Sequence, residues 1–217
     1  MIRFLMILCA ICLSNACAGS HFKAQSPTKE AVFAREIAIS ENGPELIVGS
    51  TPSAKVIVFD KNDTVFIEAQ ADLMGVEPDS SDFVLTDDIN FDNYKDIRIP
   101  VSVGAHNPSY RAWVWNIDKK RFDEVVGYDF LGNVTLNAET QELESFSHLS
   151  ASEFIKTIYK FSGDQLIKKR ELHVTGNAED PNVVQRVVTK YNDSGKVIIQ
   201  DTQTVRIDEL GKPVDAF

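Results

Sequence analysis

Apolar and polar residues alternate in short runs along most of the chain, and polar turn residues separate these runs. Residues 56–59 and 64–67 are β-branched or aromatic for the most part, and the intervening residues 60–63 include Asn and Asp. This arrangement is typical of a β-hairpin, because β-branched residues favour strands and Asn and Asp favour turns. The pattern therefore predicts antiparallel strands as the main structural element.

The same arrangement recurs at three further places. Apolar runs flank a short polar turn in residues 112–122, 158–167 and 187–199. A succession of neighbouring hairpins predicts an antiparallel meander. Helical signals are few, since residues 28–38 fit either a helix or a strand and residues 151–155 are too few to decide. We therefore predict an all-β fold with minor helix, as a sandwich or as a curled, partly closed or propeller-like sheet.

The first 18 residues have the composition of a secretory signal. Arg3 precedes an apolar run over residues 4–13, and small residues follow as far as Ala18. The run is shorter than the ~20 residues of a membrane-spanning helix. We expect cleavage after Ala18 and a periplasmic or secreted product. The alternative is a lipoprotein signal, which residues 13–17 resemble and in which Cys17 is the acylated residue. The protein is attached to the outer membrane only in this alternative.

Cleavage after residue 18 leaves a chain without cysteine, because the three cysteines lie at positions 9, 12 and 17. This excludes a disulfide framework, cysteine-ligated zinc and a thiol nucleophile in the mature protein. Residues 19–30 are predicted to be a polar tether. Residues 31–217 are then expected to form a single all-β domain, since a chain of this size can bury a sufficient core.

The net charge argues against two classes of partner. It is −10 for the whole chain, and it becomes −11 once residues 1–18, which hold one Arg and no acidic residue, are removed. Such a charge disfavours nucleic acid and anionic lipid, and favours basic proteins or divalent cations. The sequence also lacks a nucleophile elbow, a zinc-protease helix motif, a Walker loop and a dinucleotide-binding glycine motif. We therefore predict no catalytic residues and no enzyme.

One segment carries the spacing of a calcium-binding loop. Asp88, Asn90 and Asp92 place side-chain oxygens at positions 1, 3 and 5, and Asn93 stands at the turn position where Gly is usual. Ile99 stands where an EF-hand has its closing Glu, so the spacing indicates a shorter loop over residues 88–96. The competing interpretation is an Asp- and Asn-rich turn without metal. The expected ligands of a structural calcium ion are Asp88, Asn90, Asp92, the Tyr94 carbonyl and Asp96.

The chain resembles a bacterial family in the order of four segments. These are the acidic loop at residues 88–97, the polar loop at 104–110, the aromatic strand at 110–115 and the hairpin at 119–122. The family comprises the periplasmic inhibitors of invertebrate-type lysozymes and the related immunity proteins against peptidoglycan-cleaving effectors. The resemblance covers residues 84–172 and centres on the pattern D-x-N-F-D-G-Y-x-D, from which this chain departs at Asn93. It implies an exported all-β inhibitor with bound calcium, whose exposed loop blocks the cleft of a lysozyme-like glycoside hydrolase.

The resemblance also implies that residues 104–111 enter the target enzyme. A lysozyme cleft holds two carboxyl groups, which the hydroxyls of Ser109 and Tyr110 can approach and with which Arg111 can pair. In the competing interpretation Tyr110 begins the next strand and packs inward, and Arg111 lies on the strand surface. The expected inhibitory residues are His106, Asn107, Ser109, Tyr110 and Arg111.

A second function is compatible with the same pattern. Trp113 and Trp115 are two residues apart on one predicted strand and therefore share a face. An exposed pair of this kind would stack against sugar rings, which would make the protein a calcium-stabilised carbohydrate-binding or adhesion module of the cell envelope. The commoner role of such a pair is core packing.

Overall fold

The computed structural model describes residues 33–72, 84–102 and 107–206. These residues form thirteen β-strands and one 3₁₀ turn at Tyr128–Phe130, and they contain no α-helix. The predicted all-β fold is confirmed, and the ambiguous segment at residues 28–38 contributes a strand over Phe33–Ala38. The predicted signal segment and tether lie outside the described residues. No helix among the described residues has the length and apolar character needed to cross a membrane.

The first sheet is an antiparallel meander of four strands in chain order. Its third and fourth strands form the hairpin predicted at residues 56–67. The turn between them is held by Asp60, whose Oδ1 accepts the main-chain N–H groups of Asn62 and Thr64 at 2.8 Å each. The strands are β1 (Phe33–Ala38), β2 (Glu45–Ser50), β3 (Lys55–Phe59) and β4 (Val65–Gln70).

The second sheet has three antiparallel strands: β5 (Ile97–Ser102), β6 (Ser109–Asn116) and β7 (Arg121–Glu124). Its central strand, β6, is buried on both faces. Trp113 and Trp115 pack with the apolar face of the first sheet, whereas Ala112 and Val114 belong to a second core on the opposite side. This alternation is the period of two expected of a strand between two cores.

The third sheet has six strands, which again follow chain order. The hairpins predicted at residues 158–167 and 187–199 both occur in it, but their strands are longer than the apolar runs that predicted them. Residues 151–155, left undecided by their composition, form a turn and the start of a strand. The strands are β8 (Thr135–Asn137), β9 (Glu142–Ser150), β10 (Glu153–Ser162), β11 (Gln165–Gly176), β12 (Val183–Tyr191) and β13 (Val197–Arg206).

Three apolar clusters hold these sheets. The first lies between the first and second sheets, and the second joins the far face of β6 to the start of the third sheet through Tyr128, Leu131 and Leu143. The third cluster consists of Leu172, Val174 and Val184, with Val205 packed at its edge. The described strands therefore stack as successive meanders and do not close into a barrel.

Candidate functional site: the acidic loop and the start of strand β6

The acidic loop at residues 88–96 leads directly into β5, and its side chains fold back onto its own main chain. Asp88 accepts the N–H of Asp92 with Oδ1 at 3.0 Å and the N–H of Asn93 with Oδ2 at 2.8 Å. The Oδ1 atom of Asp92 accepts the N–H of Tyr94 at 2.9 Å. The chain turns at Phe91 and Asn93, whose φ angles of 63° and 70° are left-handed. Asn tolerates this conformation better than most residues.

Asn90 lies between the two acidic side chains. Its Nδ2 donates to Oδ2 of Asp92 at 2.8 Å, and its Oδ1 accepts the N–H of Asp92 at 3.2 Å. The side-chain amide of Asn90 is therefore hydrogen-bonded to the carboxylate of Asp92, which the sequence predicts as a metal ligand. A cation bound beside Asp92 would replace the positive end of this amide.

Asp96 is fully buried and ties the acidic loop to the second sheet. Its Oδ2 accepts the N–H of Ile89 at 2.8 Å, and its Oδ1 accepts the N–H of Trp115 at 2.9 Å. Burial raises the pKa of Asp96 to about 7; the two N–H groups oppose this shift, and the charges of Asp92 and Asp88 add to it. The two main-chain N–H groups thus compensate the charged form of Asp96 only in part.

The loop satisfies part of what a calcium ion requires. Its side chains are oxygen donors, and its main chain turns at the expected position. In the described segments, however, no group of three or more His, Cys, Asp or Glu side chains is arranged to hold a metal ion. The carboxylates of Asp88, Asp92 and Asp96 are directed at main-chain N–H groups instead. If these carboxylates are to converge on one cation, the hydrogen bond from Asn90 to Asp92 must first break. Calcium binding therefore stays a prediction.

A buried arginine beside the loop was not singled out from the sequence. Arg98, on β5, forms an ion pair with Asp87, and its Nη1 donates to the Tyr128 hydroxyl at 3.4 Å. The Arg98 guanidinium also lies 5.6 Å from the ring centre of Tyr110. Burial raises the pKa of Tyr128 to about 12, against the opposing effect of Arg98. The only sequence signal is that Arg98 stands between two apolar residues, Ile97 and Ile99.

The residues predicted to form an inhibitory loop lie mainly in the strand. Ser109, Tyr110 and Arg111 are the first three residues of β6 and pair with β5. All three are half-buried, and Tyr110 packs against the second apolar cluster. The inward packing of Tyr110 agrees with the competing interpretation given above. His106 lies outside the described residues.

Asn107, just before β6, joins this region to the third sheet. Its Nδ2 donates to the carbonyl oxygen of His148 at 2.8 Å, and its Oδ1 accepts the N–H of His148 at 2.9 Å. These two bonds imitate a step of strand pairing with the main chain of β9. The position of Asn107 is therefore fixed by residues far away in the sequence.

Arg111 is held in place by two neighbours. Its Nε and Nη2 donate to Oε1 of Glu124 on β7 at 2.9 and 2.7 Å. Its guanidinium lies 5.0 Å from the ring centre of Trp113. Arg111 therefore keeps one orientation while its side chain stays partly accessible.

The tryptophan pair does not form a surface for sugar stacking. Trp113 and Trp115 do share a strand face, as the sequence predicts, but both are buried in the first apolar cluster. Trp115 packs edge-on against Phe122, with the ring centres 5.1 Å apart. The interpretation of this pair as a carbohydrate platform is therefore wrong, because the neighbouring sheet covers the face that a sugar would use.

Comparison with known proteins adds information on the fold. No protein-family model matches the chain, and no curated protein matches it. Among solved structures, the chain is similar to one described as the structure of a Xanthomonas type IV secretion system related protein. The identity is 14% and the TM-score 0.52, and the similarity covers 78% of this chain and 93% of the other. The two proteins share a fold over most of their length.

Proposed function

We propose that this chain is an exported protein of the cell envelope that binds and blocks a lysozyme-like peptidoglycan hydrolase. Three observations support the proposal: the signal-type segment at residues 1–18, the motif resemblance over residues 84–172, and the shared fold. A fold in common with a protein described as related to a type IV secretion system fits an envelope-associated role. In this proposal the protein acts by binding alone.

The observation that carries the proposal is the rigid attachment of the start of β6. Asn107 is bonded to β9, Ser109 and Tyr110 are paired with β5, and Arg111 is paired with Glu124 on β7. Three different strands thus fix one short segment from three directions. A segment that is already ordered loses little conformational entropy on binding, which favours a tight complex.

The chemistry of the segment suits a glycosidase cleft. Two carboxyl groups flank the scissile bond in such a cleft. The Ser109 hydroxyl can donate a hydrogen bond to one of them, and the Arg111 guanidinium can pair with the ionised one in place of Glu124. The net charge of −11 after signal removal would speed the approach of a basic enzyme.

The test is inhibition of cell-wall lysis by a panel of lysozyme-like hydrolases. Arg111→Ala should weaken inhibition by about tenfold or more, since a charge-assisted contact in the cleft is lost. Arg121→Ala is the matched control, because Arg121 is paired with Asp123 on the same sheet but lies away from the start of β6. No inhibition of any panel member by the unaltered protein, or equal losses in the two variants, would refute the proposal.

We further propose that the acidic loop binds a structural calcium ion through Asp88, Asn90, Asp92, the Tyr94 carbonyl and Asp96. The burial of the Asp96 carboxyl beside Asp88 and Asp92 supports this, since a divalent cation would compensate the negative charge of all three carboxylates. When bound, the ion supplies charge compensation and cross-links the loop. The chain's own contribution is to hold the carboxylates on a left-handed turn and to fasten the loop to β6.

Calcium binding is tested by the melting temperature of metal-free protein titrated with calcium, with magnesium in a parallel series. We expect calcium to raise the melting temperature at concentrations of ~0.1–1 mM. Asp92→Asn should remove this rise while it keeps an acceptor for the Tyr94 N–H. Asp60→Asn, in a similar turn between β3 and β4, should retain the rise. The proposal fails if calcium leaves the unaltered protein unchanged.

A further inference from the structure

The outer strand of the third sheet is exposed in a way that native proteins usually avoid. β13 is ten residues long, and no other strand in the described segments pairs with its far side. Val197, Ile198 and Ile199 are 56%, 60% and 50% exposed. Edge strands normally carry Pro, Lys or bulges that prevent pairing with another chain. β13 contains neither Pro nor Lys, and its register with β12 shifts only near the Val197 end.

We propose that two copies of this protein associate by antiparallel pairing of their β13 strands, with Thr202 on the two-fold axis. An axis normal to the sheet keeps equivalent faces on the same side, so opposite residues must share a face. In this register Ile199 lies opposite Val205 of the second copy, and Asp201 lies opposite Gln203. Of the two neighbouring symmetric registers, the one centred on Asp201 would place two carboxylates against each other.

This register also extends an existing apolar cluster. Val205 is packed against the third cluster, at Val184 and its neighbours. Ile199 lies on the same face of β13 as Val205, because the two are an even number of positions apart along the strand. The pairing would therefore place Ile199 of the second copy beside Val205 and cover the open side of the cluster. β-Branched cross-strand pairs of this kind stabilise antiparallel sheets.

The charges favour a second copy over a basic hydrolase as the occupant of this edge. β13 carries one acid, Asp201, and one base, Arg206, so its own pairing brings no like charges together in the proposed register. The adjoining hairpin exposes Lys190, Lys196 and one acid, Asp193, so its local charge is positive and would repel a basic enzyme. The net charge of the whole molecule opposes association at long range, so salt should strengthen the dimer.

The direct test is the oligomeric state of the full chain without residues 1–18, measured by sedimentation equilibrium across concentration and salt. We expect a concentration-dependent dimer that is strengthened by salt. Ile199→Lys should weaken it by about tenfold or more, because a charge is placed in the paired edge. Val65→Lys is the matched control, since Val65 has a comparable exposure of 46% on an outer strand of the first sheet. Circular dichroism establishes that each variant folds.

A cysteine cross-link tests the register itself, because the chain after residue 18 has no cysteine. Thr202→Cys should form an intermolecular disulfide, since directly opposite residues in an antiparallel pair lie about 4.5–5.5 Å apart at Cα, within disulfide reach. Gln200→Cys should not, because the two copies of residue 200 would be ~13 Å apart along the strands. A protein that stays monomeric at every concentration and salt concentration overturns the proposal, whatever else covers the edge of β13. So does cross-linking at residue 200 in preference to residue 202.

Discussion

The buried carboxylate of Asp96 accepts the main-chain N–H of Trp115 at 2.9 Å, which fastens the acidic loop to the central strand of the second sheet. The same carboxylate accepts the N–H of Ile89 from within the loop. One side chain therefore joins the loop to the strand that also carries Arg111. Any change in the charge of Asp96 should therefore alter its hydrogen bonds both to Ile89 in the acidic loop and to Trp115 on β6.

The first prediction concerns pH. The pKa of Asp96 is raised to about 7 by burial, so in the metal-free protein the folded state holds a proton that the unfolded state has already lost between about pH 4 and pH 7. The stabilising contribution of Asp96 is therefore complete below about pH 4 and is lost as the pH rises through about 7.

Urea denaturation in the presence of a chelator, repeated across this pH range, measures the effect. The free energy of unfolding of the unaltered protein minus that of Asp96→Asn should fall as the pH rises from 4 to 7 and then level off. A difference that is constant with pH would contradict the assigned pKa shift. Asp193→Asn, at an exposed turn residue, serves as the control and should show no such fall.

The second prediction concerns the buried side chain of Arg98, which forms an ion pair with the partly exposed Asp87. Arg98→Met should lower the free energy of unfolding by about 2 kcal/mol or more, because Asp87 loses its partner and the Tyr128 hydroxyl loses a donor. Arg121→Met should cost less than about 1 kcal/mol, since the Arg121 side chain is largely exposed and Asp123 keeps Asn116 and Lys119 as donors. Urea denaturation of the two variants measures both. Similar losses would mean that burial of Arg98 contributes little.

The third prediction concerns the contact between Asn107 and β9. Asn107→Ala removes both bonds to His148 and should cost about 1–2 kcal/mol. The amide hydrogen of His148 should then exchange faster with solvent, because its acceptor is the Asn107 side chain. Asn177→Ala, which removes an acceptor in the loop before β12, should leave exchange at His148 unchanged. Unaltered protection of His148 in Asn107→Ala would show that the contact does not persist in solution.

The fourth prediction separates two glycines. Gly163, at the tip of the β10–β11 hairpin, has a φ of 63° and open space around it, whereas a Cβ on Gly176 would lie 2.7 Å from Cβ of Ser152. Gly163→Ala should cost about 1 kcal/mol from backbone strain, and Gly163→Asn less, because Asn adopts the left-handed conformation. Gly176→Ala and Gly176→Asn should both cost about 1–3 kcal/mol from overpacking. Thermal denaturation ranks the four variants, and a smaller cost for Gly176→Asn than for Gly176→Ala would contradict the steric explanation.

The hairpins could be predicted from the sequence because strand alternation and turn chemistry are local. Residues 56–59 and 64–67, with Asp60 between them, contain the whole signal for β3 and β4. The lengths of β10 and β11 could not be predicted in this way, since Lys156 and Lys169 interrupt the apolar pattern. Those strands continue because neighbouring strands supply their hydrogen bonds on both sides.

The contacts that define the candidate site lie beyond such local signals. Asn107 and His148 are 41 residues apart, and Arg98 and Tyr128 are 30 residues apart. Neither pair leaves a periodic trace in the sequence. The Asp and Asn spacing did indicate the left-handed turn at Asn93, because that turn depends on its own few residues. The burial of Asp96 depends on β6 and could be established only from the structure.

The strictly sequential strand order has a consequence for how the molecule is made. Every strand in the three sheets pairs with its immediate neighbour along the chain, so each hairpin can form as soon as its second strand is available. A chain that emerges from the ribosome or through a membrane pore, amino terminus first, can thus complete one sheet before the next has appeared. Pairing between neighbouring strands requires few long loops to close beforehand. Unpaired apolar strands are therefore exposed only briefly, which limits aggregation during folding.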